Sequence, residues 1–314
     1  MGTYSKGDLL VIGGATCDIT VVLQNKAIPA DSNPGRIYSS PGGVGRNIAE
    51  NAARLGLRTT LLTAFGSDGF AEAIKNSCNL AGIDTSPSWI DGKAGSCVYI
   101  DLVDKVGELV IAAADCNLIE NLPLDYIRSA APVINGHRFL LLDANLSEEA
   151  LIAAAEISDI PIISDTISIA KAVRLRKILP RLSVLKTNTR ELGALTGLDI
   201  PDDPEQIFRA CEPLLEEGLR SIYVTMGASG ACCADADGLT SIGGYPAAVR
   251  NVTGAGDAFC AGVIFGLLKE WDKKRILRFG STLSHIALES ESAVDPGLNL
   301  EVALSELRRV PPGS

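Results

Sequence analysis

Histidine is nearly absent from this chain: only His137 and His285 occur among 314 residues. That scarcity all but removes zinc centres and Ser-His-Asp triads, because both rest on imidazole. Each histidine therefore reads as a packing or surface residue. A basic surface is lacking too. Lys and Arg number 28 against 38 Asp and Glu, for a formal net charge of −10, which argues against a nucleic-acid partner whose phosphates need cations. A small anionic ligand is still compatible, since it needs only a nest of amides and one or two cations. No apolar run reaches the ~20 residues of a membrane-crossing helix, and Met1 to Asp8 carries no signal-peptide pattern. The expectation is a cytoplasmic protein with no membrane partner. Cysteine is not scarce, at eight, but no C-x-x-C pair occurs. All eight are expected to be small buried hydrophobes, including the vicinal Cys232 and Cys233 in an apolar, strand-like run.

What is present is a rhythm. Short, nearly continuous apolar runs at 9–13, 59–64, 139–142, 161–164, 183–185 and 221–224 read as strands buried on both faces. Between them, 48–55, 148–156, 170–179 and 208–217 show helical spacing with charge on one side. Alternation of this kind predicts an α/β fold, a three-layer αβα arrangement with a parallel sheet between helices. It is taken as one unit over 1–314. Two stretches break the rhythm, 21–38 and 96–114, where short strands are punctuated by Gly, Asn and Asp. They predict a small second sheet forming a lid; the alternative is a pair of edge strands on the main sheet.

In an open parallel sheet, ligands bind beyond the carboxyl ends of the strands. Polar residues cluster there: Asp18, Gly66-Ser67-Asp68, Asp143 with Asn145, Asp165, Lys186 with Asn188, and Thr225 with Gly227. Singly these fit caps and turns, as Asp68 and Ser147 do; together they suggest a polar crevice. Two glycine-rich loops stand out. Pro41-Gly-Gly-Val-Gly-Arg-Asn47 opens a helix, and Gly42 and Gly43 would let the backbone pass close to a ligand. Asn47 would hold a sugar diol or simply cap the helix. Asn251-Val-Thr-Gly-Ala-Gly-Asp257 leads into an apolar helix, so its amides would converge on one spot as an oxyanion site. Asp257 would accept a proton from a hydroxyl there, or only complement the helix dipole. Neither loop is a Walker A sequence, and Leu9-Leu-Val-Ile-Gly-Gly-Ala-Thr-Cys17 is no dinucleotide fingerprint.

These loops, in this order and about 200 residues apart, resemble the signatures of the ribokinase-like (PfkB-type) sugar and nucleoside kinases. So do Gly13-Gly14 followed by Asp18, the N-x-x-E run Asn188-Thr-Arg-Glu191, and the turn Thr225-Met-Gly-Ala-Ser-Gly230. The resemblance implies a parallel sheet with a β lid that closes over the sugar and often pairs with a second subunit, hence a homodimer. Asp257 would be the catalytic base, with Gly254, Ala255 and Gly256 forming the anion hole. Glu191 would organise Mg²⁺ through water. Asn188, Thr225, Gly227 and Gly230 would approach ATP, and Asp18, Gly42, Gly43, Asn47 and Asn145 would hold the sugar.

Within the family, Ala30-Asp-Ser-Asn-Pro-Gly35 and Asp143-Ala-Asn-Leu-Ser-Glu-Glu149 are most similar to the branch that phosphorylates pseudouridine. Asn145 replaces the glutamate that ribokinase carries, which weakens a free-ribose reading. Asn251 replaces the usual Asp of the loop and leaves a K⁺ requirement open. Contacts to the base would come from Asn33 or Asp115, each of which also fits a turn residue bonding its own backbone. Another ribonucleoside or a free sugar remains an alternative substrate, and a non-catalytic sugar- or nucleotide-binding regulator an alternative class.

Overall fold

Strands that are apolar on every residue need cover on both faces, and the main sheet supplies it. The computed structural model describes residues 6–309; residues 1–5 and 310–314, the two ends of the expected 1–314 unit, lie outside the described residues. In chain order the strands are β1 (Gly7–Ile12), β2 (Thr16–Leu23), β3 (Gly35–Gly42), β4 (Thr59–Leu62), β5 (Ala64–Phe65), β6 (Trp89–Ile90) and β7 (Val98–Val103). They continue as β8 (Leu109–Asp115), β9 (His137–Asp143), β10 (Ile162–Asp165), β11 (Leu182–Asn188), β12 (Ser221–Thr225), β13 (Ala231–Asp235) and β14 (Gly238–Ile242). Eight of them form one sheet in the order β14-β13-β12-β11-β10-β9-β1-β4. Side chains alternate between two cores. Leu10, Ile12, Leu140, Leu142 and Ile222 enter one, while Leu9, Val11, Leu141, Ile163 and Tyr223 enter the other. Six strands run parallel, as the apolar runs predict. β13 and β14 are antiparallel, a hairpin added at one edge that the strand–helix alternation does not announce. Cys232 and Cys233 lie in that hairpin, and every described cysteine is unpaired and buried except the half-buried Cys116.

The expected helices form, with shifted ends. Glu148–Glu156 is capped by Ser147, whose hydroxyl accepts from Ala150 N–H. Pro204–Glu216 starts four residues earlier than its apolar spacing suggests, because Asp203 caps it and Pro204 occupies its first turn. The stretch expected as a helix over 170–179 is helical only at Ile169–Ala172 and then tightens to a 3₁₀ run through Val173–Arg181. Pro180 within it has no N–H to continue an α-helical ladder. Among the described residues no helix is long and apolar enough to cross a membrane.

The two stretches outside the rhythm build a sheet of their own, ordered β3-β2-β7-β8. They are not edge strands of the main sheet. β2 and β3 form one antiparallel pair, and β7 and β8 another around the turn closed by Gly107 N–H to Asp104 O. The sheet reaches further into both sequence neighbours than 21–38 and 96–114, because Thr16 pairs with Gly42 at its base. β5 and β6 make a separate short ribbon.

Aromatic residues are only 5% of the chain, yet three of them meet at the far end of the helix that the second glycine loop opens. Phe265, Trp271 and Phe279 pack with ring centroids 5.2–5.5 Å apart, where the helices Ala255–Leu268 and Lys273–Glu289 join. Phe279 is wholly buried. Its truncation removes a ring from a site flanked by two other rings. Phe279→Ala is therefore expected to cost about 3–5 kcal/mol in urea unfolding; a loss under about 1 kcal/mol would show that this cluster does not anchor the helix pair.

Candidate active site

Two helices begin at the same place, at the carboxyl ends of the central strands. The Val44–Arg54 helix leaves β3 through a single residue, Gly43, at φ 94°. A Cβ at Gly43 would lie 2.6 Å from Gly14 O, so only glycine lets the loop cross the end of β1. The Ala255–Leu268 helix begins after Gly254, at φ 87°, and no side chain caps it. The first amides of this helix, from Ala255, Gly256 and Asp257, have no partners within the helix, which leaves an anion-binding terminus.

The helices are joined by side chains. Asn47 Nδ2 donates to Asp257 Oδ2 at 2.9 Å, linking the two glycine loops. Arg46 Nη1 donates to Asn47 Oδ1 at 3.0 Å. Below them, Asp143 at the end of β9 accepts from Gly14 N–H at 2.8 Å and from the backbone and side chain of Asn145. Asn145 Oδ1 accepts from Lys171. Asp18 accepts from the Thr16 hydroxyl at 2.6 Å, and burial pushes its carboxyl upward. A Cβ at Gly42 would overlap the Asp18 carboxylate, which places that loop against the base of the small sheet.

Lys186 is the buried cation of the group. It pairs with Asp165 at 2.9 Å, both side chains being almost inaccessible. Burial works against its charge, but Asp165 and Glu191 outweigh it and keep the ammonium strongly protonated. Nζ lies 2.9 Å from where a Cβ on Gly256 would be, so the cation sits against the loop that opens the Ala255–Leu268 helix. Asn188 and Glu191 form a capping box at the start of Thr189–Thr196: Glu191 N–H donates to Asn188 Oδ1 at 2.9 Å, and Glu191 Oε2 accepts from Asn188 N–H at 3.2 Å. The Thr166 hydroxyl also donates to Glu191 Oε2. The N-x-x-E run thus has a local structural job.

A cavity of about 300 Å³ opens beside the helix terminus, lined by Thr225, Gly227 and Gly230 together with Ala255 and Gly256. Asn188 is not part of that lining. Tyr245, Phe259, Ser284, His285 and Leu288 are also in its lining and carried no signal in the sequence, since ordinary core bears such residues whether or not a ligand binds. His285, read as a packing or surface residue, faces this cavity. His137 is a packing residue, bonded to Val133 O and the Thr60 hydroxyl. Asn33 and Asp115 engage their own surroundings: Asn33 Oδ1 accepts from Ile28 N–H at 2.8 Å, and Asp115 Oδ1 accepts from Asn117.

The chain matches the model of the "pfkB family carbohydrate kinase" over residues 6–299. It is similar to pseudouridine kinase of Escherichia coli (strain K12), with 30% identity over 305 residues that cover 96% of each chain. It is also similar to ribokinase of Haemophilus influenzae, with 24% identity covering 91% of this chain and 93% of that one. A solved carbohydrate kinase from Agrobacterium tumefaciens superposes with a TM-score of 0.86, at 29% identity, over 97% of this chain and 98% of the other.

Asp257 makes the electrostatics testable. Burial, followed by the charge of Asp165, raises its pKa to about 7 against the opposing effects of Asn47 and Lys186. Unfolded, the same carboxyl titrates near 3.8. Between those values the folded chain keeps a proton that the unfolded chain has released, so stability falls as pH rises and the full penalty applies above pH 7. That penalty is ~4 kcal/mol at most. Asp257→Asn is expected to raise the urea midpoint above wild type at pH 8, with the gap narrowing toward pH 5. A gap independent of pH would mean that this carboxyl is not held protonated by the fold.

Proposed function

Because the chain belongs to the pfkB family of carbohydrate kinases, phosphotransferases acting on a sugar or nucleoside hydroxyl, we propose that it phosphorylates the 5′-hydroxyl of pseudouridine with ATP. The observation that carries the catalytic part is the position of Asp257. A buried carboxyl with a pKa of about 7 stands in the first turn of an uncapped helix, beside a cavity that the same turn lines. Such a group is poised to take a proton at neutral pH, while the amides next to it accept developing negative charge.

In this reading the acceptor hydroxyl meets Asp257, and its proton passes to the carboxylate as the oxygen attacks the γ-phosphorus of ATP, whose bond to the bridging oxygen breaks to release ADP. The N–H groups of Ala255, Gly256 and Asp257 receive charge on the transferred group, with Lys186 beneath the loop adding a fixed positive potential. Asp18, Asn47 and the glycine pair Gly42-Gly43 hold the ribose. Thr225, Gly227 and Gly230 hold the nucleotide, together with Phe259 and His285. Phosphoryl transfer needs little more than such positioning and charge stabilisation.

Mg²⁺ would neutralise phosphate charge when bound with ATP. Among the described residues no three His, Cys, Asp or Glu side chains gather as a metal cage. The donors therefore fit an ion held chiefly by nucleotide phosphates and water, with Glu191 acting through water because its Oε2 is already bonded. Asn251 Oδ1 accepts from Thr253 N–H and brings no charge for a monovalent cation.

Support for pseudouridine comes from the 30% identity to the E. coli enzyme over nearly the whole of both chains. Of the two candidate acceptors for the extra ring N–H of that base, Asp115 has a second carboxylate oxygen beyond the one Asn117 engages. Asp115 is exposed in this structure; once buried against the base, an acceptor left unpaired by uridine would cost about 1–3 kcal/mol. A panel of ribose, fructose, adenosine, uridine and pseudouridine is expected to show kcat/KM favouring pseudouridine over uridine by roughly tenfold to a few hundredfold. Asp257→Asn is expected to lower kcat by about 10²–10⁴ for the preferred acceptor. Equal use of both nucleosides would remove the pseudouridine assignment and leave the kinase.

The lid sheet exposes an apolar surface: Ile37 is 71%, Leu109 61% and Ile111 61% accessible. Its proposed occupant is a second copy of this chain, lid against lid, since apolar side chains on unpartnered strands favour pairing. Light scattering should give a dimer, and Ile37→Asp with Ile111→Lys a monomer. A monomeric wild type at micromolar concentration would dismiss that interface.

A further inference from the structure

Arg46, the one charged residue of the first glycine loop, is only 4% exposed and permanently charged. Its guanidinium is held from several sides. Nη1 donates to Pro41 O at 3.1 Å, at the end of lid strand β3, and to Asn47 Oδ1 at 3.0 Å. Nη2 donates to the Ser77 hydroxyl at 2.8 Å and pairs with Glu50. Glu50 is also held by Arg54 at 2.7 Å, so it keeps a cation without Arg46.

The bond to Asn47 has chemical content. The two ends of a primary amide have nearly the same shape but opposite hydrogen-bonding sense. Arginine can only donate, so it fixes Oδ1 on its own side and turns Nδ2 toward Asp257 Oδ2. A reversed amide would set Oδ1 against the Asp257 carboxylate. We propose that Arg46 is a positioning residue of the catalytic centre, locking the Asn47 amide so that it donates to Asp257 and leaves the other carboxylate oxygen to the acceptor hydroxyl. This rests on the reading of Asp257 as the base. It ties the end of the lid strand, through Pro41 O, to the side chain that orients that base.

The other groups that bear on Asp257 are Asp165 from β10, Lys186 from β11 and Asp143 from β9, whereas the hydrogen bonds of Arg46 run to Pro41, Asn47, Glu50 and Ser77. The Asn47 bond lowers the Asp257 pKa against burial, so losing its fixed direction shifts the titration upward. The test is the pH dependence of kcat, with the best acceptor of the panel, for wild type, Arg46→Met, Arg46→Lys and Ser77→Ala. Wild type is expected to lose activity as pH falls through about 7. In Arg46→Met the acidic limb should move up by about one pH unit, with kcat at pH 7 reduced roughly fivefold and largely recovered by pH 9.

Lysine keeps the charge but not the planar fork, so Arg46→Lys should show the same displaced limb; it also carries the test if the Met variant does not fold. Ser77→Ala removes a structural partner of Arg46, and its limb should stay in place even if its urea midpoint falls. A limb unmoved in both Arg46 variants overturns the proposal, as does full restoration by Lys, which would reduce Arg46 to a source of charge. An absent limb in wild type, or normal turnover in Asp257→Asn, overturns the base reading and this proposal with it. A readout without substrate is the urea-midpoint gap that Asp257→Asn opens, which should extend to higher pH when measured in the Arg46→Met background.

Discussion

The 2.9 Å hydrogen bond from Asn47 to Asp257 spans 210 positions of sequence, and the arrangement of the centre follows from the need to make it. Both residues stand in the first turn of a helix, and each helix starts from a glycine in the left-handed region, Gly43 and Gly254. Those glycines allow two helix termini to approach the same point at the edge of the sheet. Their dipoles then direct positive potential into one space. That potential offsets part of the cost that burial imposes on the charged form of Asp257. Without the cross-link the two loops would be neighbours only through the strands beneath them.

The charges around that bond do not look like a device for stability. Asp143, Asp165, Glu191 and Asp257 are all buried, with Lys186 as their embedded cation. Removing carboxylates from water is expensive, and hydrophobic replacements of similar volume are often as stable or more so. What the cluster provides is a set of opposed influences on one proton. Asp165 and Asp143 push the Asp257 titration up, while Asn47 and Lys186 pull it down. The balance falls near neutrality, where a base both holds and releases a proton readily. Perturbation of this kind is characteristic of reactive sites.

Much of this was legible in the residues. The continuous apolar runs gave the strands because a sheet covered on both faces leaves no polar positions, and the alternation gave the layers. The glycine loops marked themselves, since few other sequences place small residues directly before a buried helix. Other features had no such mark. In the antiparallel β13–β14 edge, β13 is as apolar as its parallel neighbours, so its direction could not be read, and β14, Gly-Leu-Thr-Ser-Ile, lacks the continuous apolar run that marks the other strands. The 3₁₀ run at Val173–Arg181 was masked by helical spacing that Pro180 overrides. Ile167 adopts φ 62°, a strained value for a β-branched residue, at the turn leaving β10. The cavity wall from Tyr245 to Leu288 was invisible because its residues differ from ordinary core only in what lies next to them. Asn188 and Glu191 show the reverse case, in which a family motif is also a complete helix cap.

The small sheet is joined to the main one by very little chain. Three residues, 13–15, separate β1 from β2, and Gly43 alone separates β3 from the Val44–Arg54 helix. The same peptide units that would act as its hinge also seat Asn47. This has a consequence for how members of such a family can diverge. The sheet is not a module that can be exchanged by recombination at a linker, because no linker exists at either of those crossings. Such a sheet can change by substitution within strands whose ends stay fixed, or by lengthening the distal 24–34 loop and the Asp104–Gly107 turn, which lie farthest along the strands from the Thr16–Gly42 end. Change in the sheet is thereby confined to its rim, while its root is held by the short crossings that also fix Gly43.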